Sequence, residues 1–292
     1  MNKIVCGDNL VLLRGLPDGL VDLCYIDPPF YSQRSYYGPK SARVEFSDQW
    51  HWDQTAVAAS AELAQAAPAL QGILAGIRAM VGEGGLLAYL SSLALRLVEI
   101  ERVLKPNGSF YLHCDPTASH YLKLLCDAIF CAPPATGVFV NEIIWCYKSG
   151  GASISNFSRK HDVILFYAKS QRYCFNFATE KSYNRGLKPY RFQGVKEYKD
   201  EIGWYTMVGM RDYWLIDMVG RTARQRLGYP TQKPEALLER IITASSQPDD
   251  LVLDAYCGSG TTLAVAARLG RQWLGCDANP AAVAMARTRV GG

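Results

Sequence analysis

The chain lacks the features that mark secreted, membrane-spanning and metal-bound proteins. Its nine cysteines are scattered along 292 residues without a C-x-x-C pair, which predicts reduced thiols rather than a disulfide or zinc framework. It has no uncharged apolar run of about 18 residues, so we expect no membrane span. Residues 1–20 include charged side chains where a signal peptide has an apolar core. We therefore expect a cytoplasmic protein without a metal site.

Two common nucleotide-binding motifs are also missing from the glycine-containing stretch Tyr256-Cys257-Gly258-Ser259-Gly260-Thr261-Thr262. A dinucleotide fingerprint needs Gly or Ala at position 263, which is Leu, and a P-loop needs Lys after the second glycine. The stretch still follows a predicted strand that ends at Asp254, and it opens a predicted helix. Glycines let the backbone approach a ligand, and a helix start offers N–H groups to an anion. Asp277, at the end of the next predicted strand, suits a ribose hydroxyl pair.

The most informative stretch is the loop Asp27-Pro28-Pro29-Phe30. Residues 21–26 are mostly apolar and predict a buried strand, which the two prolines end because they have no N–H for the ladder. In open α/β sheets, the carboxyl ends of strands are where ligands bind. An ordinary turn is the alternative, because Asp before Pro is common after strands.

This loop suits methylation of an exocyclic amine. The lone pair of such an amine is delocalised into the base ring, so acceptors on its hydrogens raise its nucleophilicity in the transition state. The Asp27 carboxylate and the Pro28 carbonyl are the predicted acceptors. Phe30 is predicted to stack on an extruded base and to face a sulfonium methyl group.

Residues 171–230 differ in composition from the rest of the chain. They carry eleven Lys and Arg against six Asp and Glu, together with twelve aromatic residues. Basic residues interleaved with aromatics suit phosphate and base contacts, although a solvated basic face would have the same composition. We predict DNA contacts from Arg211, Arg221, Arg224 and Arg226.

Other stretches predict the framework around these motifs. Leucines and isoleucines between positions 86 and 104 recur at helical spacing and predict a core helix. Asp8 follows a short predicted strand and could accept from a ligand amine or cap the next helix. His113, Cys114 and Asp115 are a weak metal candidate, because neighbours on a strand point to opposite faces. The aromatic stretch at residues 31–52 predicts a functional loop, with Tyr31, Tyr36 and Tyr37 as candidates for base contacts.

Taken together, the motifs resemble those of DNA amino-methyltransferases of the β arrangement, in which the catalytic motif precedes the recognition region and the cofactor-binding half comes last. The catalytic match is Asp27-Pro28-Pro29-Phe30. Matches to cofactor-binding positions are Asp8, Thr231, Gln232, Lys233, Pro234, Asp254, Tyr256, Gly258, Ser259, Gly260, Thr261, Thr262 and Asp277. Tyr256 stands where many relatives carry Phe.

The resemblance implies a doubly wound, mostly parallel, Rossmann-like α/β sheet with permuted motif order. It places the catalytic domain at residues 1–170 and 227–292 and a target-recognition region at 171–226. It also implies that the strands ending at Asp27 and Asp254 are neighbours, which would bring the catalytic and cofactor loops to one crevice.

The implied activity is transfer of a methyl group from S-adenosylmethionine to adenine N6 in duplex DNA, with direct transfer to a flipped base. Cytosine N4 is the main alternative, and an RNA or protein amide nitrogen is a weaker one. A DNA-binding relative without turnover is the alternative from another class. The expected partners are double-stranded DNA, a second copy of the chain in a homodimer, and a cognate restriction endonuclease. The expected location is the cytoplasm, in association with the nucleoid.

Overall fold

The computed structural model describes residues 1–32, 35–36, 46–149 and 153–291. The helices among these residues are α1 (Asn9–Arg14), α2 (Gln54–Ala66), α3 (Pro68–Val81), α4 (Gly85–Val103), α5 (Ser119–Cys126), α6 (Glu235–Ser245), α7 (Thr261–Arg268) and α8 (Pro280–Gly291). The strands are β1 (Asn2–Cys6), β2 (Val21–Ile26), β3 (Ser35–Tyr36), β4 (Phe46–Ser47), β5 (Leu104–Cys114), β6 (Val138–Cys146), β7 (His161–Ala168), β8 (Thr179–Tyr183), β9 (Glu197–Lys199), β10 (Trp204–Gly209), β11 (Tyr213–Leu215), β12 (Leu251–Asp254) and β13 (Gln272–Asp277). A π-helical turn at Asp127–Cys131 extends α5. None of the described helices is long and apolar enough to cross a membrane.

Eight strands form one large sheet in the order β1-β13-β12-β2-β5-β7-β6-β11. Every neighbouring pair is parallel except the two pairs that include β7. The predicted doubly wound, mostly parallel sheet is therefore confirmed. The predicted neighbours β2 and β12 pair directly, with Leu23 opposite Val252 and Cys24 opposite Leu253.

The strand β2 lies at the centre of the sheet and is buried at all six positions. Because side chains alternate along a strand, Cys24 and Ile26 enter one core while Leu23 and Tyr25 enter the other. The first core packs against helices that include α4 and α5, and the second packs against α6, α7 and α8. This continuous apolar run is typical of a parallel strand covered on both faces.

A second, smaller sheet lies within the predicted recognition region and has the antiparallel order β8-β10-β9. We call these three strands and their connections the recognition sheet. The chain does not stay in this unit to residue 226, however, because β11 pairs with β6 at the edge of the large sheet. Burial of Trp214 explains why the chain returns to the large sheet, because this side chain is only 6 % exposed and belongs to the second core.

Candidate active site

A cavity of about 820 Å³ lies at the carboxyl edge of the large sheet. It is bounded by the residues that follow β1, β2, β12 and β13, which are parallel and end on the same side. Two motifs more than 200 residues apart therefore share one chamber. The predicted site residues that line it are Asp8, Asp27, Pro28, Pro29, Phe30, Thr231, Gln232, Lys233, Asp254, Tyr256, Gly258, Ser259, Thr261, Thr262 and Asp277.

Asp27 is held between a lysine and a histidine. Lys233 Nζ donates to Asp27 Oδ2 and also lies 5.4 Å from the centre of the Phe30 ring. The other carboxylate oxygen, Oδ1, is buried without a hydrogen-bond partner among the described residues and lies 3.9 Å from His113 Nδ1. Burying a carboxylate oxygen without a partner costs desolvation free energy, which indicates a chemical role for Oδ1.

His113 belongs to a buried hydrogen-bonded network behind the loop of residues 27–30. Its Nδ1 lies 2.8 Å from the Tyr25 hydroxyl, and its Nε2 lies 3.1 Å from Asp162 Oδ2. The second oxygen of Asp162 accepts a hydrogen bond from the Tyr147 hydroxyl at 3.0 Å. The His113 side chain is fully buried, and its ring lies 5.8 Å from that of Phe30.

The glycine loop after β12 is shaped by two carboxylates. Asp254 accepts from the Tyr256 N–H at 3.0 Å and from the Thr262 hydroxyl, so it fixes both ends of the turn. Asp277 Oδ2 accepts from the Gly258 N–H at 2.9 Å, which joins the loop to the end of β13. Gly258 has a φ of +48°, and a Cβ added there would lie 3.1 Å from the ring of Tyr229.

Burial raises the pKa of carboxyl groups around this cavity. The pKa of Asp254 is raised to about 7, because burial opposes its charge and Asp27 and Asp277 add repulsion. Burial likewise raises the pKa of Asp48 to about 6, and it raises the pKa of Asp277. These acids therefore lie where a positively charged or hydroxyl-bearing ligand would be stabilised.

Asp8 caps α1, which is one of the two roles that its sequence position suggested, and its contact with a ligand amine stays a prediction. Its side chain accepts from the Leu10 N–H at 2.8 Å and so caps α1, and it also lines the cavity. Arg96 from α4 donates to Asp8 at 3.0 Å and to the Asn9 amide oxygen at 2.6 Å. Arg96 was not predicted, because its helix carries only a core pattern in the sequence.

Two predicted cofactor-binding residues, Pro234 and Gly260, do not line the cavity. Pro234 is buried and immediately precedes α6. Gly260 has a left-handed φ of +76° at the start of α7, where an added Cβ would lie 2.8 Å from the Ala286 Cβ. The backbone at both positions sets the direction of a helix, and their contacts with the cofactor stay a prediction.

The cavity has the donors and acceptors that S-adenosylmethionine requires. Asp277 offers carboxylate oxygens for ribose hydroxyls, and the start of α7 offers N–H groups for the carboxylate of the methionine part. Because the Tyr229 ring lies close to Gly258, position 258 has no room for a side chain, and only backbone is present on that side of the loop. The residues present therefore fit this cofactor.

The four predicted DNA-binding arginines fall into two groups. Arg211 is 3.2 Å from Glu180 and donates to the Ser182 hydroxyl at 2.6 Å, so the recognition sheet itself holds it. Arg221, Arg224 and Arg226 are exposed on the loop that precedes the Thr231 motif. Of the four arginines, only these three have exposed side chains, and their DNA contacts stay a prediction.

The predicted loop at residues 31–52 is only partly described. Tyr31 stacks near Tyr89, with ring centres 6.2 Å apart, while Tyr37 lies outside the described residues. Of Tyr36, the structure describes only its place in β3. The loop also contributes Asp48 and Trp50 to the cavity wall, which no motif indicated.

Comparison with known proteins gives a consistent result. A family model described as DNA methylase matches residues 21–288. The chain is 26 % identical to the type II methyltransferase M.HpaI of Haemophilus parainfluenzae over 99 % of this chain and 74 % of that protein. It is 27 % identical to the DNA adenine methyltransferase YhdJ of Escherichia coli K12 over 98 % of this chain and 82 % of that protein. The fold is similar to that in the crystal structure of the M1.HpyAVI–SAM complex, with a TM-score of 0.58 at 16 % identity over 100 % of each chain.

Proposed function

Because this chain belongs to the DNA methylase family, and its enzymes use S-adenosylmethionine as methyl donor, we propose that it methylates adenine N6 in duplex DNA. The target base is flipped out of the helix and enters the cavity, since the amine cannot be reached inside a duplex. The methyl group passes directly to the amine, without a covalent enzyme intermediate.

One observation carries this proposal: the catalytic loop and the glycine loop line the same cavity on directly paired strands. Asp27 follows β2 and Asp254 ends β12, so an acceptor amine and a donor bound at these loops would meet without any domain movement. Holding two reactants in such an arrangement is itself a large part of catalysis.

The chain's own residues then act on the amine. The Asp27 carboxylate and the Pro28 carbonyl accept its two hydrogens, which localises the nitrogen lone pair as the new bond forms. Phe30 provides the face on which the flipped base stacks. S-adenosylmethionine, when bound, supplies an electrophilic methyl group on its sulfonium.

The Lys233 ammonium donates to Asp27 Oδ2 and so orients the carboxylate. The other oxygen, Oδ1, has no hydrogen-bond partner among the described residues and is left to accept a hydrogen from the amine.

Adenine is favoured over cytosine by the acid at the head of the loop. Asp is more typical of family members that methylate adenine, whereas cytosine-N4 members more often carry Ser there. The likeness to the DNA adenine methyltransferase YhdJ supports this choice. Cytosine N4 is the second candidate, because its amine presents the same two hydrogens to the same acceptors.

The remaining parts of the proposal concern DNA and partner proteins. We propose residues 171–226 as the target-recognition region, with Arg221, Arg224 and Arg226 on phosphates. A homodimer would extend this short region over a longer site. A cognate restriction endonuclease accords with the likeness to the type II enzyme M.HpaI.

The deciding experiment is nucleoside mass spectrometry on DNA from cells that express the chain. We expect N6-methyladenine, and its absence from cells expressing Asp27→Ala. N4-methylcytosine without N6-methyladenine would make cytosine the target. The absence of both methylated nucleosides would contradict the assignment as an active methylase.

A further inference from the structure

The buried network behind the catalytic loop has no role in the mechanism above. When a methyl group is added to an exocyclic amine, the nitrogen must lose a proton. We propose that His113 receives this proton from Asp27 and holds it until the methylated base leaves. This inference rests on the proposed function, although either target amine would release the same proton.

Three features of Asp27 point to a proton route through His113. Its Oδ1 is buried and unpartnered, and it lies 3.9 Å from His113 Nδ1. Its Oδ2 accepts from Lys233, so a proton that stayed on Asp27 would weaken that ion pair. Hydrogen bonds of a catalytic group are often long before substrate binds and shorten in the complex.

The network also fixes which nitrogen of His113 is unprotonated. Burial, followed by repulsion from Asp27, raises the pKa of the Tyr25 hydroxyl well above its usual value, so Tyr25 keeps its proton and donates it to Nδ1. Asp162 accepts at Nε2, which places the imidazole proton on Nε2. Nδ1 is therefore the basic atom, and it is the one that faces Asp27.

Asp162 is suited to balance the charge that His113 would gain. Burial opposes its ionisation, but hydrogen bonds from His113 and Tyr147, together with the charge of Lys233, bring its pKa below the usual value. A permanently ionised carboxylate beside an imidazole orients the ring and stabilises its protonated form. His113 acts on the amine only through Asp27, so it is a positioning and proton-accepting residue rather than a group that touches substrate.

The step balances in atoms and charge. The methyl–sulfur bond breaks as the carbon–nitrogen bond forms, and an N–H bond of the amine breaks. The proton passes to Asp27 Oδ1 and then to His113 Nδ1, while Tyr25 turns its hydroxyl away. Asp162 remains ionised throughout, and water takes the proton after the product leaves. The titratable and charged groups that face His113 are Tyr25 on β2, Asp27 after it and Asp162 on β7, with Lys233 and Tyr147 behind these acids.

The first test is single-turnover methylation of a duplex oligonucleotide by His113→Gln with cofactor already bound. We expect the methylation rate to fall at least about 10²-fold, with cofactor affinity unchanged within about threefold. The control is His120→Gln, an exposed histidine on α5, which should behave as the wild type. Asp162→Asn should share the defect, because it removes the group that fixes the ring proton.

A second test needs no variant in the network and therefore survives misfolding of His113→Gln. The chain has four histidines, so ¹⁵N NMR of the ligand-free protein can resolve each ring. The proposal requires a neutral His113 ring protonated at Nε2 and bare at Nδ1. A ring protonated at Nδ1 would overturn it, as would a His113→Gln rate within threefold of wild type. Failure of the wild type itself to methylate any DNA would instead refute the proposed function.

Discussion

The acids of the cavity and those of the recognition sheet respond to folding in opposite ways. Around the cavity, burial raises the pKa of Asp254 to about 7 and raises that of Asp277. In the recognition sheet, the pKa of Asp200 is lowered by hydrogen bonds, first from Lys181, and the pKa of Glu197 by those from the Tyr190 and Arg191 N–H groups. In the first region burial outweighs the hydrogen bonds that the acids accept, whereas in the second region the hydrogen bonds outweigh burial.

The difference follows from how much apolar surface each region can bury. The large sheet has two cores, and its stability permits buried acids whose hydrogen bonds only partly offset the cost of burial. The recognition sheet contributes almost nothing to either core, and its strands are largely half-buried or exposed. Hydrogen bonds to Asp200 and Glu197 and the stacked pair Tyr198–Tyr205 therefore replace a core there.

The sharpest way to separate the two regions is Asp27→Ala. Loss of one preorganised acceptor should lower the methylation rate by about 10²–10³-fold, or about 3–4 kcal/mol. Cofactor affinity and DNA affinity should stay within a few-fold, because the recognition sheet is unchanged. Single-turnover kinetics with calorimetry for each ligand checks this, and near-normal turnover would remove Asp27 from its catalytic role.

A matched pair of glycines tests packing in the two regions. Gly260 and Gly186 have left-handed φ values of +76° and +71°, but only at Gly260 would a Cβ meet Ala286, at 2.8 Å. Gly260→Ala should therefore destabilise the protein by about 1–3 kcal/mol more than Gly186→Ala. It should also weaken cofactor binding by displacing α7, not by entering the cavity. Denaturant unfolding of both variants measures the difference, and equal losses of stability would contradict it.

The opposite pKa shifts predict opposite pH dependences. Asp254 has a folded pKa of about 7 against about 4 unfolded, so the folded protein binds its proton more tightly. Its contribution should make the free energy of unfolding fall by roughly 1 kcal/mol per pH unit as pH rises from about 4 to about 7. Above about pH 7 this contribution should stay level. Asp254→Asn should remove this slope.

Asp200 provides the counterpart in the same titration. Its lowered pKa means that its stabilising contribution is present at neutral pH and is lost as pH falls through the acid range. Asp200→Asn should therefore destabilise the protein at pH 7 and have no effect in strong acid. A parallel pH dependence for both variants would refute the contrast.

The smallest expected effect concerns salt. If Arg221, Arg224 and Arg226 neutralise phosphates, removal of all three should reduce the salt slope of DNA affinity by about 0.9 for each phosphate that is no longer neutralised. The matched control is a triple variant of Lys3, Arg14 and Arg78, which are exposed outside this region. Fluorescence anisotropy at several salt concentrations measures both slopes, and an equal change in the two would make the effect one of net charge alone.

The sequence alone predicted the parts whose signals are local. The prolines after Ile26 ended β2 where the structure ends it, and the helical spacing of leucines located α4. The network of His113 could not be predicted, because Asp162 lies 49 residues away and only strand order brings them together. The contact between Lys233 and Asp27 spans 206 residues and needed the same information. The strand β11 was missed because three residues are too few to show a period.

The way the recognition sheet joins the rest of the chain has a consequence for how such enzymes change over time. The Met210 N–H donates to the Ala178 carbonyl at 3.0 Å, so the chain enters and leaves the recognition sheet at one point. Segments with adjacent ends are readily exchanged or lengthened, because the rest of the fold has to accommodate only the two connections to the segment. If the recognition sheet reads the target as proposed, a new target sequence could be acquired by replacing what lies between these two residues, while the residues at the edge of the large sheet are inherited unchanged.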